Sequence, residues 1–233
     1  MNFGQMQAEL GYIIKDDFLA PRLKGWINDA ILEIATDYDL PPLKLAEPYS
    51  LNVTDADWLW SLPENFHKKL YLARYVDATS GDEYGISTHK NPDYIVSRDH
   101  TDEGDAPTMV TVIPQGTTFS LGVYPLSTKE LHLWYYRKPA VLVNDADECD
   151  CIPANFVSGV IYPKLIIKNY HFILDQVIDF PMTQGPLQYW QGMLKVGLQG
   201  APGQGVGLLN YYNLNYHPPR RTGGRDPIGA RPY

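Results

Sequence analysis

The sequence is short of cysteine, of long apolar runs and of basic residues, and each shortage excludes a class of protein. Among its 233 residues there are two cysteines, Cys149 and Cys151, in the stretch DECDC. Two cysteines in a C-x-C arrangement form a poor disulfide and offer too few ligands for a structural zinc site. We therefore expect both cysteines to be reduced thiols in a protein that is made in the cytosol. No run of about 18 apolar residues occurs, so no membrane span is expected. The start, MNFGQMQAEL, lacks the basic and apolar regions of a signal peptide.

The charge balance is acidic. Lys and Arg number 19 against 27 Asp and Glu, a net charge of −8. This balance argues against a protein that coats DNA, which needs a basic field. A hydrophobic content of 44% excludes full disorder, and a chain of this length can bury a real core.

Helical periodicity occurs near both ends of the chain. Apolar residues recur at three- and four-residue spacing from Phe3 to Ile13, and again from Leu23 to Ile34. The prolines after Asp37 end this second helix. A third helix is predicted from Pro153, with Asp150 as its cap and a kink at Pro163, and a fourth from Pro186 to Gln199.

Between the helical regions the period changes to two. Residues 69–75, 109–113, 117–123 and 130–136 are rich in β-branched and aromatic side chains and predict strands. Pro114-Gln-Gly116 predicts a tight turn, and the acidic stretch Thr79–Pro107 predicts an exposed loop or long hairpin.

This order predicts an α+β fold. Residues 1–42 and 150–200 would form an antiparallel helical bundle, residues 43–149 a β-rich, sandwich-like insertion, and residues 201–233 an extended C-terminal arm. Residues 211–233 hold four Arg and one Asp, so they carry +3 and leave −11 for the rest. Such an arm cannot fold alone and would become ordered on an acidic groove of another chain.

The sequence contains no match to a common catalytic or metal-binding motif. The chain has no P-loop, H-E-x-x-H or G-x-S-x-G motif, and Gly203-x-Gly205-x-Gly207 follows a helix instead of a strand. The run Asp145–Asp150 fails the calcium-loop pattern, which leaves capping or weak cation binding. A cluster around Asp99, His100 and Asp102 lies in a polar loop, where the desolvation needed for acid–base work is absent. We therefore predict no catalytic residue, no metal site and no cofactor.

Four sequence features occur together in an order that resembles a known family. They are WINDAILEIATDYD in the second helix, DWLWSLPENFHK at Asp57–Lys68, ELHLWYYRKPAVL at Glu130–Leu142 and IPANFVSGVIYPKLI at Ile152–Ile166. Over about residues 5–199 the chain resembles the head-to-tail adaptor proteins of tailed bacteriophages, especially short-tailed ones.

The resemblance implies a structural virion protein that is made in the bacterial cytoplasm and is not an enzyme. Such adaptors form a ring, usually dodecameric, under the portal protein; they extend the DNA channel and carry nozzle, fibre or other tail proteins. DNA would only pass through non-specifically, and no membrane is involved. In relatives a C-terminal segment docks on the portal. The corresponding residues here are Tyr211, Tyr212, Tyr216, Pro218, Pro219, Arg220, Arg221, Arg225, Ile228, Arg231 and Tyr233. The arginines would pair with portal carboxylates, and Pro218, Pro219, Ile228 and Tyr233 would fill apolar pockets.

Two alternatives stay open. Trp58, Trp60, Trp134 and Trp190, with scattered carboxylates, would fit a carbohydrate-binding or carbohydrate-active protein, which predicts two facing carboxylates in a pocket. The chain would also fit another tail component, such as a tail-tube or receptor-binding module. Residues Thr79–Pro107 would contact either a fibre or a neighbouring subunit.

Overall fold

The computed structural model describes residues 1–14, 20–52, 57–99, 102–170, 173, 186–200 and 206–215. The α-helices in these ranges are α1 (Phe3–Ile14), α2 (Ala20–Asp37), α3 (Asp93–Val96), α4 (Tyr162–Lys168), α5 (Pro186–Gln199) and α6 (Leu208–Asn215). The strands are β1 (Tyr49–Leu51), β2 (Leu59–Ser61), β3 (Phe66–Val76), β4 (Glu83–Gly85), β5 (Ser87–His89), β6 (Met109–Gln115), β7 (Thr118–Tyr124) and β8 (Leu131–Arg137).

The strands form two four-stranded sheets, in the orders β1-β8-β3-β4 and β2-β7-β6-β5. All neighbours are antiparallel except β5 and β6, which are parallel. Apolar side chains from both sheets share one core, which includes Ala73, Val110, Leu121 and Leu133. The period-two pattern produces this core because alternate side chains of each strand point to the same face.

The acidic stretch Thr79–Pro107 is more structured than the loop or hairpin that the sequence predicts. It contains β4, β5 and α3, and β5 pairs with β6 over Ser87–His89. Ile86 and Ile95 are buried, and a Cβ added at Gly122 of β7 would lie 3.4 Å from Ile95 Cγ2. Ile95 of helix α3 thus packs against the outer face of the sheet at Gly122.

The turn predicted at Pro114-Gln-Gly116 contains fewer of these residues in the structure. Pro114 belongs to β6 and pairs with Phe119, whereas Gly116, with φ of +63°, makes the turn. Proline fits in this strand because β5 pairs with β6 only as far as Thr111, so Pro114 lies beyond that pairing on the open side of β6, where no ladder donor is required.

The helices share a second core that joins both ends of the chain. Its fully buried members include Phe3, Ile27, Val160, Leu165 and Leu208. Ion pairs link α2 to α4: Lys168 Nζ lies 2.5 Å from Glu33 Oε1, and Lys164 Nζ lies 2.8 Å from Asp37 Oδ2. The α+β class is therefore confirmed, while the antiparallel bundle stays a prediction.

The region after Pro153 begins with two unusual turns instead of a capped α-helix. A 3-10 turn, Ala154–Phe156, leads into a π turn, Val157–Ile161, in which the Tyr162 N–H donates to the Val157 carbonyl. Pro163 therefore falls in the first turn of α4, where a missing N–H is tolerated, and the predicted kink is not needed. Asp150 does not cap this helix, because the N-cap position is Pro153.

The π turn lies against α5 at a pair of glycines. A Cβ added at Gly197 would lie 2.0 Å from the Gly159 carbonyl oxygen and 3.0 Å from Val160 Cγ2. A real Cβ does not fit at such distances, so α5 can approach this closely only with glycine at position 197.

Candidate functional site at the C-terminal helix

Helix α6 begins directly against the end of α5. Gly200, with φ of +83°, ends α5, and its N–H donates to the Val196 carbonyl at 2.7 Å. A Cβ added at Gly207 would lie 2.1 Å from the Gly200 nitrogen, so the chain returns into main-chain contact here. The Asn210 side-chain amide donates to the Gln199 carbonyl at 2.7 Å. The start of α6 is therefore fixed by glycine contacts and by one hydrogen bond.

Tyr212 anchors the middle of α6. Its side chain is 6% exposed, and its hydroxyl donates to the Cys151 carbonyl. Burial raises the pKa of Tyr212 above its ordinary value, so the hydroxyl stays a neutral donor. One residue earlier, the Tyr211 ring lies 5.3 Å from the Phe156 ring. Both tyrosines thus pack against the chain's own body.

This helix differs from the extended arm that the sequence predicts from residue 201. Leu208, Tyr211 and Tyr212 follow the i, i+3, i+4 spacing of one helix face, and this face is buried against the body. Tyr211 and Tyr212 are therefore anchors of α6 instead of parts of an extended segment. The other predicted portal contacts lie outside the described residues: Tyr216, Pro218, Pro219, Arg220, Arg221, Arg225, Ile228, Arg231 and Tyr233.

The loop that receives Tyr212 holds the partly buried carboxylate of Asp150 and two thiols. Arg137 Nη1 donates to Asp150 Oδ2 at 2.6 Å. The other oxygen, Asp150 Oδ1, is buried and makes no hydrogen bond within the described part of the chain. The Cys149 and Cys151 sulfurs are 3.7 Å apart, and the hydrogen bond between them lowers the pKa of Cys149 and raises that of Cys151. The sequence pattern assigned these thiols no role.

The preceding acidic residues, Asp145 and Asp147, contact the first two helices. Asp145 Oδ1 accepts from Lys24 Nζ at 3.3 Å, and the Asp147 carbonyl accepts from the Phe3 N–H at 2.7 Å. The Asp147 carboxylate accepts the main-chain N–H groups of Val143 and Asn144, and these bonds lower its pKa. Each carboxylate is thus engaged by a different structural partner.

The acidic loop around Asp99 and Asp102 is also used structurally. The Tyr124 hydroxyl donates to Asp102 Oδ2 at 2.6 Å, and this bond raises the pKa of Tyr124. The Arg98 guanidinium lies 5.6 Å from the Tyr124 ring centre. Asp102 therefore ties its loop to the end of β7. His100, the third member of the predicted cluster, lies outside the described residues.

Three of the four tryptophans pack in different places, and Trp60 packs against the core between the sheets. Trp190 is buried in the helical core, and Trp134 packs beside Arg74 on the sheet. A cavity of about 380 Å³ lies at the ends of β2 and β7, beside Lys138. Its described lining includes a single carboxylate, Glu64, whereas glycoside hydrolysis needs two.

Several apolar side chains elsewhere on the surface are exposed, a feature that the sequence pattern did not predict. Val141 and Val143 are 70% and 64% exposed, and Tyr12 on α1 is 80% exposed. Leu142 between the valines is buried, and its main chain exchanges two hydrogen bonds with the Asn28 amide. Three consecutive apolar residues give no period-two pattern, so the sequence offered no signal that Leu142 is buried and the two valines are exposed.

Within the described residues, the helices lack the length and apolar character that a bilayer crossing requires. A family model with the description "SU10 adaptor protein" matches residues 1–195. The matched range runs from α1 through both sheets into α5, and it ends before α6. The comparison with curated proteins gives no match.

Proposed function

The chain belongs to the SU10 adaptor protein family, a family of bacteriophage head-to-tail adaptors, and from this premise we propose that it forms a ring in the virion neck. The ring would be dodecameric and would lie between the portal protein and the nozzle, fibre or other tail proteins. It would extend the DNA channel, and the residues after α6 would dock on the portal. The work is structural and no reaction is part of the proposal.

The observation that carries this proposal is the division of charge at the end of α6. Residues 216–233 hold four arginines and one aspartate, whereas the preceding residues carry a net −11. An acidic channel wall repels DNA phosphates, which favours passage over sticking. Arginine forks pair with carboxylates in two parallel hydrogen bonds, so the basic residues fit an acidic groove of the portal.

The docking of α6 supports the same arrangement. Tyr212 and Gly207 fix the helix on the body, so the basic residues start from a defined position after Asn215. A segment that starts from a fixed point has a higher effective concentration at a nearby partner than a free peptide. We therefore propose that portal docking begins after Asn215, later than the Tyr211 that the sequence predicts.

Ring closure requires a heterologous contact, in which one surface of a subunit meets a different surface of the next. The exposed Tyr12, Val141 and Val143 are candidates for one of these surfaces, because interface cores favour aromatic and aliphatic side chains over charges. The chain has 17 Tyr in all. Tyrosine suits a surface that is exposed to solvent in the free subunit and buried in the assembled ring, because it has both an apolar ring and a polar hydroxyl.

We further propose that the helices from both ends form an antiparallel bundle that carries the ring contacts. The two sheets would then project as an insertion, and residues Thr79–Pro107 would reach a fibre or a neighbouring subunit. The shared helical core and the separate core between the sheets support this division.

A binding experiment with purified portal rings tests the docking step. One variant ends after Asn215 and retains α6, and a second replaces Arg220, Arg221, Arg225 and Arg231 by alanine. A matched control replaces the same four residues by lysine, which keeps the charge and removes the bidentate geometry. We expect the truncated and alanine variants to bind at least about tenfold more weakly and the lysine variant to be intermediate.

Equal affinity of the truncated and full-length chains would refute the docking role of residues 216–233. Cryo-EM of the intact virion gives the copy number and the position of the ring. Density for this chain away from the portal would favour a different tail component over the adaptor ring.

A further inference from the structure

Three side chains of the kinds that bind metals meet in the loop where α6 docks. Cys149, Asp150 and Cys151 each offer one ligand atom, and these atoms lie within 4.8 Å of one another. Both cysteines are free thiols. Since the loop is also held by Arg137 and by Tyr212, its geometry is supported from two sides.

The distance between the two sulfurs fits one metal ion. Zinc–sulfur bonds are about 2.3 Å long in tetrahedral sites, so two cysteine ligands of one zinc lie about 3.8 Å apart. The Cys149 and Cys151 sulfurs are 3.7 Å apart. Both thiolates could therefore bind the same ion without movement of the main chain.

Asp150 supplies the third ligand. Its Oδ2 is held by Arg137, while Oδ1 is buried without a hydrogen-bond partner among the described residues. Buried polar atoms are nearly always satisfied, so an unsatisfied carboxylate oxygen next to two thiols points to a cation. A carboxylate ligand whose second oxygen is hydrogen-bonded to a neighbouring side chain is a common arrangement around metals.

We propose that the loop binds one thiophilic divalent cation of the zinc class, through Cys149, Asp150 and Cys151. Two thiolates and one carboxylate carry −3, and together with Arg137 and a divalent ion the local charge is zero. Soft thiolates favour zinc over calcium and magnesium, which prefer oxygen ligands. The three protein ligands leave a fourth position to water.

The site would also secure α6. Tyr212 donates its hydrogen bond to the carbonyl of Cys151, so an ion that fixes Cys151 also fixes the acceptor of that bond. The cation would thus act as a structural staple at the base of the C-terminal helix. This inference does not depend on the adaptor role, since it rests on the loop geometry alone.

Cobalt titration of the full chain tests the site. The reduced protein is first freed of metal by dialysis against a chelator, and Co²⁺ is then added while the absorption spectrum is recorded. We expect a thiolate-to-cobalt charge-transfer band and intense visible bands of tetrahedral Co²⁺, at one ion per chain, with displacement by Zn²⁺. The variants C149S and D150N should bind Co²⁺ more than about tenfold more weakly, because the loss of a residue that only hydrogen-bonds to a metal ligand already lowers metal affinity by about that factor.

The matched control is Glu148→Gln, which removes a carboxylate next to the site that is 74% exposed. It should bind Co²⁺ as the unmodified chain does. Zn²⁺ should raise the midpoint of thermal unfolding of the unmodified chain and of Glu148→Gln, and should not do so for Cys149→Ser. Because Cys149 is only partly buried, Cys149→Ser is expected to fold, and circular dichroism checks this.

Two results would overturn the proposal. One is the absence of a thiolate charge-transfer band at saturating Co²⁺ in the reduced, folded chain. The other is Co²⁺ binding that survives unchanged in the Cys149→Ser, Cys151→Ser double variant, which would place the ion on exposed carboxylates or histidines. Neither result would affect the portal-binding experiment.

Discussion

Replacement of Gly197 by alanine tests the close contact between α5 and the π turn. The added methyl group would lie 2.0 Å from the Gly159 carbonyl oxygen and 2.5 Å from the carbonyl carbon. These are main-chain atoms and cannot rotate away, so the two segments must separate. Gly192 on the same helix is the matched control, because a methyl group there meets nothing within 4 Å.

The two substitutions should change stability in opposite directions. Alanine in a helix interior is favoured over glycine by about 1 kcal/mol, and at Gly192 this gain is the whole effect. At Gly197 the clash costs about 3 kcal/mol, the upper end of typical overpacking, because the obstructing atoms are main chain. The net loss is then about 2 kcal/mol. For a chain of this size, about 1 kcal/mol shifts the unfolding midpoint by about 2–4 °C.

Thermal and urea unfolding followed by circular dichroism measure both effects. We expect a rise of about 2–4 °C for Gly192→Ala and a fall of about 4–8 °C for Gly197→Ala. Gly159→Ala should be nearly neutral, since its methyl group would lie 3.5 Å from the Gly197 Cα, an ordinary contact. A Gly197→Ala variant as stable as Gly192→Ala would refute the close approach of these segments.

Three further predictions concern hydrogen bonds and protonation. Tyr212→Phe removes the hydrogen bond from the Tyr212 hydroxyl to the Cys151 carbonyl, so we expect the free energy of unfolding to fall by about 0.5–1.5 kcal/mol and hydrogen exchange in residues 206–215 to become faster. The control Tyr12→Phe, at a side chain that is 80% exposed, should change neither quantity. Burial holds the pKa of His67 below its ordinary 6.5, so the unfolded chain binds more protons than the folded chain does, and stability should fall as the pH drops below about 6.5. In His67→Gln the urea midpoint should depend less on pH in this range. Lys68 donates to the Ala35 carbonyl in the last turn of α2 and to the Tyr38 carbonyl just after it, so Lys68→Met should cost about 1–3 kcal/mol. Lys69→Met, which changes a more exposed side chain, should cost less than about 1 kcal/mol.

Each of these has an outcome that contradicts it. Unchanged exchange rates in Tyr212→Phe would mean that α6 does not depend on the hydroxyl. An identical pH profile for His67→Gln would assign the slope to other groups. Equal losses for the two lysine variants would show that the carbonyl contacts of Lys68 contribute nothing beyond its charge.

Periodic segments of the sequence predicted their own structure well. The alternation in residues 109–136 produced β6, β7 and β8, and the apolar stripe from Leu23 produced α2. These predictions succeed because the burial pattern of a regular element repeats along the chain and can be read locally.

Elements that depend on distant partners were not predictable in this way. Residues Thr79–Pro107 hold few apolar side chains, yet Ile86 and Ile95 are each placed in the interior by strands far away in sequence. The π turn before Pro163 and the glycine contact at Gly197 depend on how two segments meet, which leaves no local pattern. The prediction that Asp150 caps a helix is wrong because its carboxylate pairs with Arg137, which lies on the distant strand β8.

The contact between α1 and the 145–148 segment has a consequence for how the chain is made. Strands β1 to β8 all come from residues 49–137, so on the ribosome they can pair as soon as that stretch has emerged. The Phe3 N–H, by contrast, finds its acceptor only at Asp147, and the helical core that contains Phe3 is completed only by residues such as Val160 and Leu165. The first helix can pack on α2 early, but the rest of its core is supplied by residues far along the chain, so part of its apolar face stays exposed during translation.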